Sequence, residues 1–203
     1  GLKGDPKIIV QGIPGNDLGS YMDGPLIEVL GNSQDGIGNT MNNGTIIVHG
    51  HAGDIVGYSM RGGVIYIKGD VGYRSGIHMK AYGDKLPVIV IGGRAGNFLG
   101  EYMAGGVIVV LGREASPSKA VLGDYVGTGM HGGIIYVRGK ADQQKLASEV
   151  MVSPFLAEDK QFLQQYLDNY CTIFKQEIDI EETDWTKLVP ASSSPYGKMY
   201  SHQ

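Results

Sequence analysis

The chain has 203 residues, 42% of them hydrophobic, enough to build a core and too many for a disordered segment. Seventeen Lys and Arg against 21 Asp and Glu give a formal net charge of -4, which offers no footprint for nucleic acid or anionic lipid. Membrane-length apolar runs and a secretory-signal pattern are not found, and the single cysteine, Cys171, excludes an internal disulfide, a chain-held iron-sulfur cluster and a cysteine-rich zinc site, so a soluble cytoplasmic protein is expected.

Glycine is the outlier, at 33 residues about twice its usual share, and it marks a repeat. Methionines at 22, 41, 60, 79, 103 and 130 are spaced by 19, 19, 19, 24 and 27 residues, and each is preceded three positions earlier by a glycine. After them run two β-branched rows: Ile27, Ile46, Ile65, Ile89, Ile108 and Ile135, then Val29, Val48, Ile67, Ile91, Val110 and Val137. The positions between, Glu28, Ile47, Tyr66, Val90, Val109 and Tyr136, are mixed. Period-two alternation of this kind predicts one short strand per unit, with one face in a core and a permissive outer face. Ile8 and Val10 sit in the same register, which makes seven strands over residues 7 to 139.

A 19-residue unit is too short for a βαβ crossover. The expected fold is therefore all-β, a right-handed parallel β-helix of about seven coils with a C-terminal α-helical cap. Corner glycines and an Asx row of Asn16, Asp35, Asp54, Asn97 and Asp124 suit tight turns repeated at each level. Extra residues within 81–87 and 113–122 predict loops leaving the stack, where partner contacts are expected. After Gly139 the composition changes, since 32 of the 33 glycines lie at or before it. Residues 1–140 are read as the repeat domain and 141–203 as a helical cap and tail. Phe162, Leu163, Tyr166, Leu167, Tyr170, Ile173 and Phe174 fall at helical spacing within 158–174, and this helix is expected to close the open end of the stack. From Ser192 an extended arm is expected.

Each chemical constellation has a plainer reading. Gly127, Gly129 and Gly132 satisfy GxGxxG, yet no helix is predicted after them and they lie in the repeat register, so a turn is favoured. Ser116 and Lys119 match SxxK without supporting motifs. His49 and His51 form an HxH pair without a clear third ligand, and His78 and His131 read as turn residues. The Asx row lacks the nine-residue period of calcium-binding rolls, and the methionines read as core rather than as soft-metal ligands. Cys171 reads as a small buried hydrophobe. No nucleophile, base and orienting group are brought together by the repeat. The expected catalytic, cofactor-binding and metal sites are accordingly none.

The unit GxxGxxMxGG followed by a β-branched strand and glycine, as in 53–69 and 96–112, resembles the GXGXG-motif β-helix family. Within it, the segment from Gly100 through Glu101, Tyr102 and Met103 to Val107 is similar to the C-terminal domain of the glutamate synthase large subunit. Stand-alone versions with a helical tail resemble the separate third-domain polypeptide of archaeal-type glutamate synthases. The same module forms one of the polypeptides of formylmethanofuran dehydrogenase and occurs in methylglutamate synthase-type enzymes. What the resemblance implies is a structural and assembly role. The partners would be amidotransferase and flavin-binding subunits, with FMN and an iron-sulfur cluster on those partners and no cofactor in this chain. A homo-oligomer is compatible with this, and nucleic acid and membrane are not expected partners. The formylmethanofuran dehydrogenase-type complex and, with less support, a solitary β-helix enzyme such as a polysaccharide lyase stand as alternatives.

Replacing Ile65 or Ile108 by Asp puts an unpaired charge in the inner row and should cost roughly 4 kcal/mol or more, whereas replacing Lys68 should cost little. Equal melting temperatures for the two classes of variant would remove the inward and outward assignment.

Overall fold

The computed structural model describes residues 4–113, 120–181 and 183–192. Seven strands lie where the β-branched rows fall: β1 (Lys7–Val10), β2 (Asp23–Val29), β3 (Asn43–Val48), β4 (Val64–Ile67), β5 (Val88–Ile91), β6 (Ala104–Val110) and β7 (Gly132–Arg138). They pair in parallel in chain order, and equivalent residues are direct neighbours, Ile27 beside Ile46, Ile46 beside Ile65 and onward to Ile108 beside Ile135. A 3-10 turn (Gln143–Lys145), β8 (Val150–Ser153), α1 (Ala157–Phe174) and β9 (Trp185–Pro190) follow. Strand β9 runs antiparallel against β7 and β8 antiparallel against β9, which completes one sheet in the order β1-β2-β3-β4-β5-β6-β7-β9-β8.

The expectation of an all-β right-handed parallel β-helix of about seven coils with a helical cap is corrected by this sheet. The architecture is mixed α/β: a single nine-stranded, mostly parallel sheet accompanied by α1 and the short 3-10 turn. The reason lies in the connecting segments. In each of them the residues five, three and one before the methionine are left-handed, as at Arg74 (φ 56), Gly76 (φ 73) and His78 (φ 55), so the chain there cannot extend into further strands. Among the described residues only single-residue bridges form between connecting segments, such as Ala52 with Val71 and Val71 with Ala95. The helix also lies elsewhere than expected. Leu163, Leu167, Tyr170 and Phe174 pack on the row Ile47, Tyr66, Val90, Val109 and Tyr136, so α1 covers the face of the sheet and not its end. That row is buried and mostly apolar, and it could not be left to water.

The two β-branched rows face the other side. There they join the six methionines, Ile37, Val56, Leu99 and Val126 in the larger core, where Met22 through Met130 are all buried. Ser75, the polar exception in the row of Ile37 and Val56, is buried too and its hydroxyl donates to the Gly72 carbonyl at 3.4 Å. The insertion at 81–87 is a hydrogen-bonded turn closed by Tyr82 and Lys85, with Lys85 reaching Asp23 at 3.4 Å. Most of the second insertion, 114–119, and the arm beyond Ser192 lie outside the described residues.

Gly76 shows what the turn demands. Its φ is +73°, and a Cβ there would fall on Cδ1 of Ile108, a core residue of the unit two strands on. Gly83, in the insertion, is also left-handed (φ +58°) but faces open space. Gly76→Ala should therefore cost about 3 kcal/mol or more through strain and overpacking, and Gly83→Ala only about 1 kcal/mol through backbone strain. Urea titrations of the two variants check this; equal midpoints would refute the packing argument.

Candidate functional site

The polar groups of the repeat are largely spent on the repeat itself. The backbone N–H of Asp35 donates to Asn16 Oδ1 (3.2 Å), that of Asp54 to Asp35 Oδ1 (2.9 Å), that of Tyr73 to Asp54 Oδ1 (3.0 Å) and that of Asp124 to Asn97 Oδ1 (2.9 Å). The Asx row is thus a ladder in which each side chain caps the next unit. A second ladder, which the sequence reading missed, runs from Asn32 to the N–H of His51, from His51 Nδ1 to the N–H of Asp70, and from Asp70 to the N–H of Arg94. A backbone N–H can only donate, so Nδ1 of His51 accepts and its proton sits on Nε2. Glycine is needed beside these acceptors: a Cβ at Gly72 would coincide with Asp54 Oδ1.

The histidines do not converge. His49 Nε2 lies 2.9 Å from Glu28 and its ring meets Phe174 edge-on at 5.3 Å, while His51 belongs to the ladder. The His49 and Lys7 contacts hold the Glu28 carboxyl below its usual range. His131 Nδ1 lies 3.1 Å from the Gly129 carbonyl, and His78 stacks on Tyr102 at 5.3 Å. Gly127 and Gly129 are left-handed turn residues leading into β7. Cys171 is half-buried on α1, where burial pushes its thiol up and keeps it protonated. Ser116 and Lys119 lie outside the described residues. Among the described residues no group of three or more His, Cys, Asp or Glu could hold a metal ion. No helix there is long and apolar enough to cross a membrane.

The most concentrated chemistry sits where α1 begins. Helix α1 starts after Leu156, whose extended N-cap backbone donates its N–H to Asp159 Oδ2 at 2.8 Å. The other oxygen of Asp159 accepts the Tyr136 hydroxyl from β7 at 2.6 Å and the Lys187 ammonium from β9 at 2.7 Å. Asp159 is 6% exposed and Tyr136 1%. Burial raises the Asp159 carboxyl, but the Lys187, Tyr136 and Leu156 hydrogen bonds outweigh it and leave it below the usual carboxylate range. Burial and the neighbouring carboxylate push the Tyr136 phenol far above its ordinary value. A groove of about 530 Å³ opens beside the cluster, walled by Leu86, Val107, Ile134 and Phe162. Chemically the cluster holds its protons: the tyrosine resists ionisation, the carboxylate is engaged through both oxygens and the lysine is paired. It is a lock joining helix, β7 and β9. Tyr136 was assigned to the permissive outer row, and Asp159 and Lys187 carried no motif; the apolar drift of that row from Glu28 to Val109 is the signal that something must cover it.

Asp159→Asn removes the charge and leaves Lys187 without its counter-ion, so it should cost about 3 kcal/mol at neutral pH. The lowered carboxyl contributes stability that is present above the unfolded carboxylate value near pH 4 and is lost as pH falls below it. The raised phenol contributes stability present below about pH 10 and lost above it. The gap in melting temperature between the native protein and Asp159→Asn should be widest between those limits and shrink below about pH 4. A constant gap from pH 3 to pH 8 would contradict the lock.

Known proteins are similar to this chain. An uncharacterized protein, MJ1350, of Methanocaldococcus jannaschii is 48% identical over 205 residues, covering 98% of this chain and 78% of that protein. A chain in the X-ray crystal structure of the formyltransferase/hydrolase complex (FhcABCD) from Methylorubrum extorquens, in complex with methylofuran, is similar with a TM-score of 0.56 and 25% identity. The likeness covers 80% of this chain and 66% of that one. The GXGXG motif matches residues 1–191. With the glycine-paced units, the parallel pairing of like with like and a motif match that takes in both sheet and helix, this chain belongs to the GXGXG motif family.

Proposed function

We propose that this chain is a non-catalytic assembly component of a glutamate synthase-like oxidoreductase, which makes glutamate from glutamine and 2-oxoglutarate. It would hold an amidotransferase and a flavin-binding partner in register, with FMN and an iron-sulfur cluster on those partners. The observation that carries the reading is membership of the GXGXG motif family across nearly the whole chain, together with the similarity of the Gly100–Val107 segment to the glutamate synthase domain. The use of polar side chains for ladders and a buried lock supports a holding role over a reacting one. A second reading, a component of a formylmethanofuran dehydrogenase-type or formyltransferase/hydrolase-type complex, is favoured by the structural likeness to a chain of FhcABCD.

The experiment is isolation of the tagged chain from its native source, identification of what co-purifies, and assay of the isolate. Glutamine-dependent glutamate formation from 2-oxoglutarate in a flavin-containing assembly is the expected result. Pterin-bearing or formyl-transferring partners would support the second reading. A solitary chain would overturn both.

A further inference from the structure

The connecting segments carry a surface that neither the core nor the lock explains. Left-handed backbone five and one positions before each methionine turns those side chains away from the core, and the later units place aromatic rings at or beside them. Tyr73, Tyr102 and Tyr125 are exposed, the last two at 45% and 58%. These rings belong to a ridge of two stacked columns and are not isolated surface residues. His78 stacks on Tyr102 at 5.3 Å and 12° and meets Tyr58 edge-on at 6.0 Å. Phe98 stacks on Tyr125 at 5.0 Å and 17°. In the second column, one unit before Phe98, the Arg74 guanidinium lies over Tyr73 (5.6 Å) and Phe98 (5.3 Å) and pairs with the buried Glu101 at 3.0 Å. The ridge is therefore preorganised, and its Tyr and Arg content is that of interface hot spots.

Charge selects the partner. On the same segments of earlier units lie Asp17, Asp35 and Asp54, and among the described residues no Lys or Arg pairs with any of them. Asp35 and Asp54 use Oδ1 for the ladder, and Oδ2 of each has no hydrogen bond or ion pair among the described residues. Two cations of these segments are already taken, Arg74 by Glu101 and Lys145 by Asp124. Aromatic rings beside uncompensated carboxylates suit a guanidinium, which stacks on the one and pairs bidentately with the other. We propose that this ridge is the docking surface for an arginine-rich segment of a partner subunit. The inference deepens the assembly reading and rests on it for the partner's identity, not for the chemistry of the surface.

The test uses the full chain and a nonamer of arginine as probe, with nonamers of lysine and glutamate as comparisons. Saturable arginine-peptide binding is expected, weakened about tenfold by the double variant Tyr102→Ala/Tyr125→Ala. Asp35→Asn/Asp54→Asn keeps the ladder acceptors and should weaken binding several-fold while flattening its salt dependence. The lysine peptide should bind more weakly and the glutamate peptide not at all. Ile9→Ala, an exposed apolar change on β1, should leave binding unchanged. No arginine-peptide binding, native-like binding by both ridge variants, or equal weakening by Ile9→Ala would each overturn the surface. In the isolated assembly, hydrogen exchange should slow at 54–60, 73–79 and 97–103 relative to the free chain. A complex without that protection would overturn the docking surface and leave the assembly reading standing. Failure to isolate a complex would count against the assembly reading while the peptide arm still decides the surface.

Discussion

In a stack of parallel strands each residue's nearest neighbour is its own counterpart one unit away, so every position must tolerate itself at about 4.8 Å. That constraint orders the molecule. Ile on Ile and Met on Met satisfy it by packing, and Asp35 under Asp54 satisfies it by handing its carboxylate to a backbone N–H of its successor instead of facing a like charge. Where neither solution works the position is glycine, as at Gly72, where Asp54 Oδ1 already fills the place a methyl group would take.

The same constraint explains how much could be read in advance. The inner rows obey it strictly, so Ile46, Ile65 and Ile108 announce their strands through simple spacing, and the heptad-like placement of Leu163, Tyr170 and Phe174 announces α1. The outer row does not repeat. Its change from Glu28 through Ile47 to Val90 and Val109 looks like indifference in a single unit and is in fact a gradient, half-buried at Glu28 and fully covered further along the sheet. Reading it as permissive sent the helix to the end of the stack. Gly92 holds the complementary clue: a side chain there would meet the Tyr170 hydroxyl, so the absence of one is a seat for the helix.

Contacts between segments without a shared period were not legible. Tyr136, Asp159 and Lys187 come from β7, α1 and β9, and no spacing rule relates them. Strand β9 is as opaque, since a six-residue segment with Leu188 as its one fully buried side chain gives no hint that it will pair antiparallel with β7. The expected β-helix failed for a related reason: the period predicts which residues are neighbours but not which stretches of the unit are extended, and the left-handed turn residues limit each unit to one strand.

Helix α1 has 18 residues and so runs about 27 Å, while five adjacent strands span roughly 20 Å. Its buried side touches residues from β3 through β7 at once. An array whose members meet only the next in line can fray from its ends, losing one member at a time. A crossbar over five of them removes that option, because peeling any one must first lift the bar from all. The five strands beneath it should therefore melt as a block.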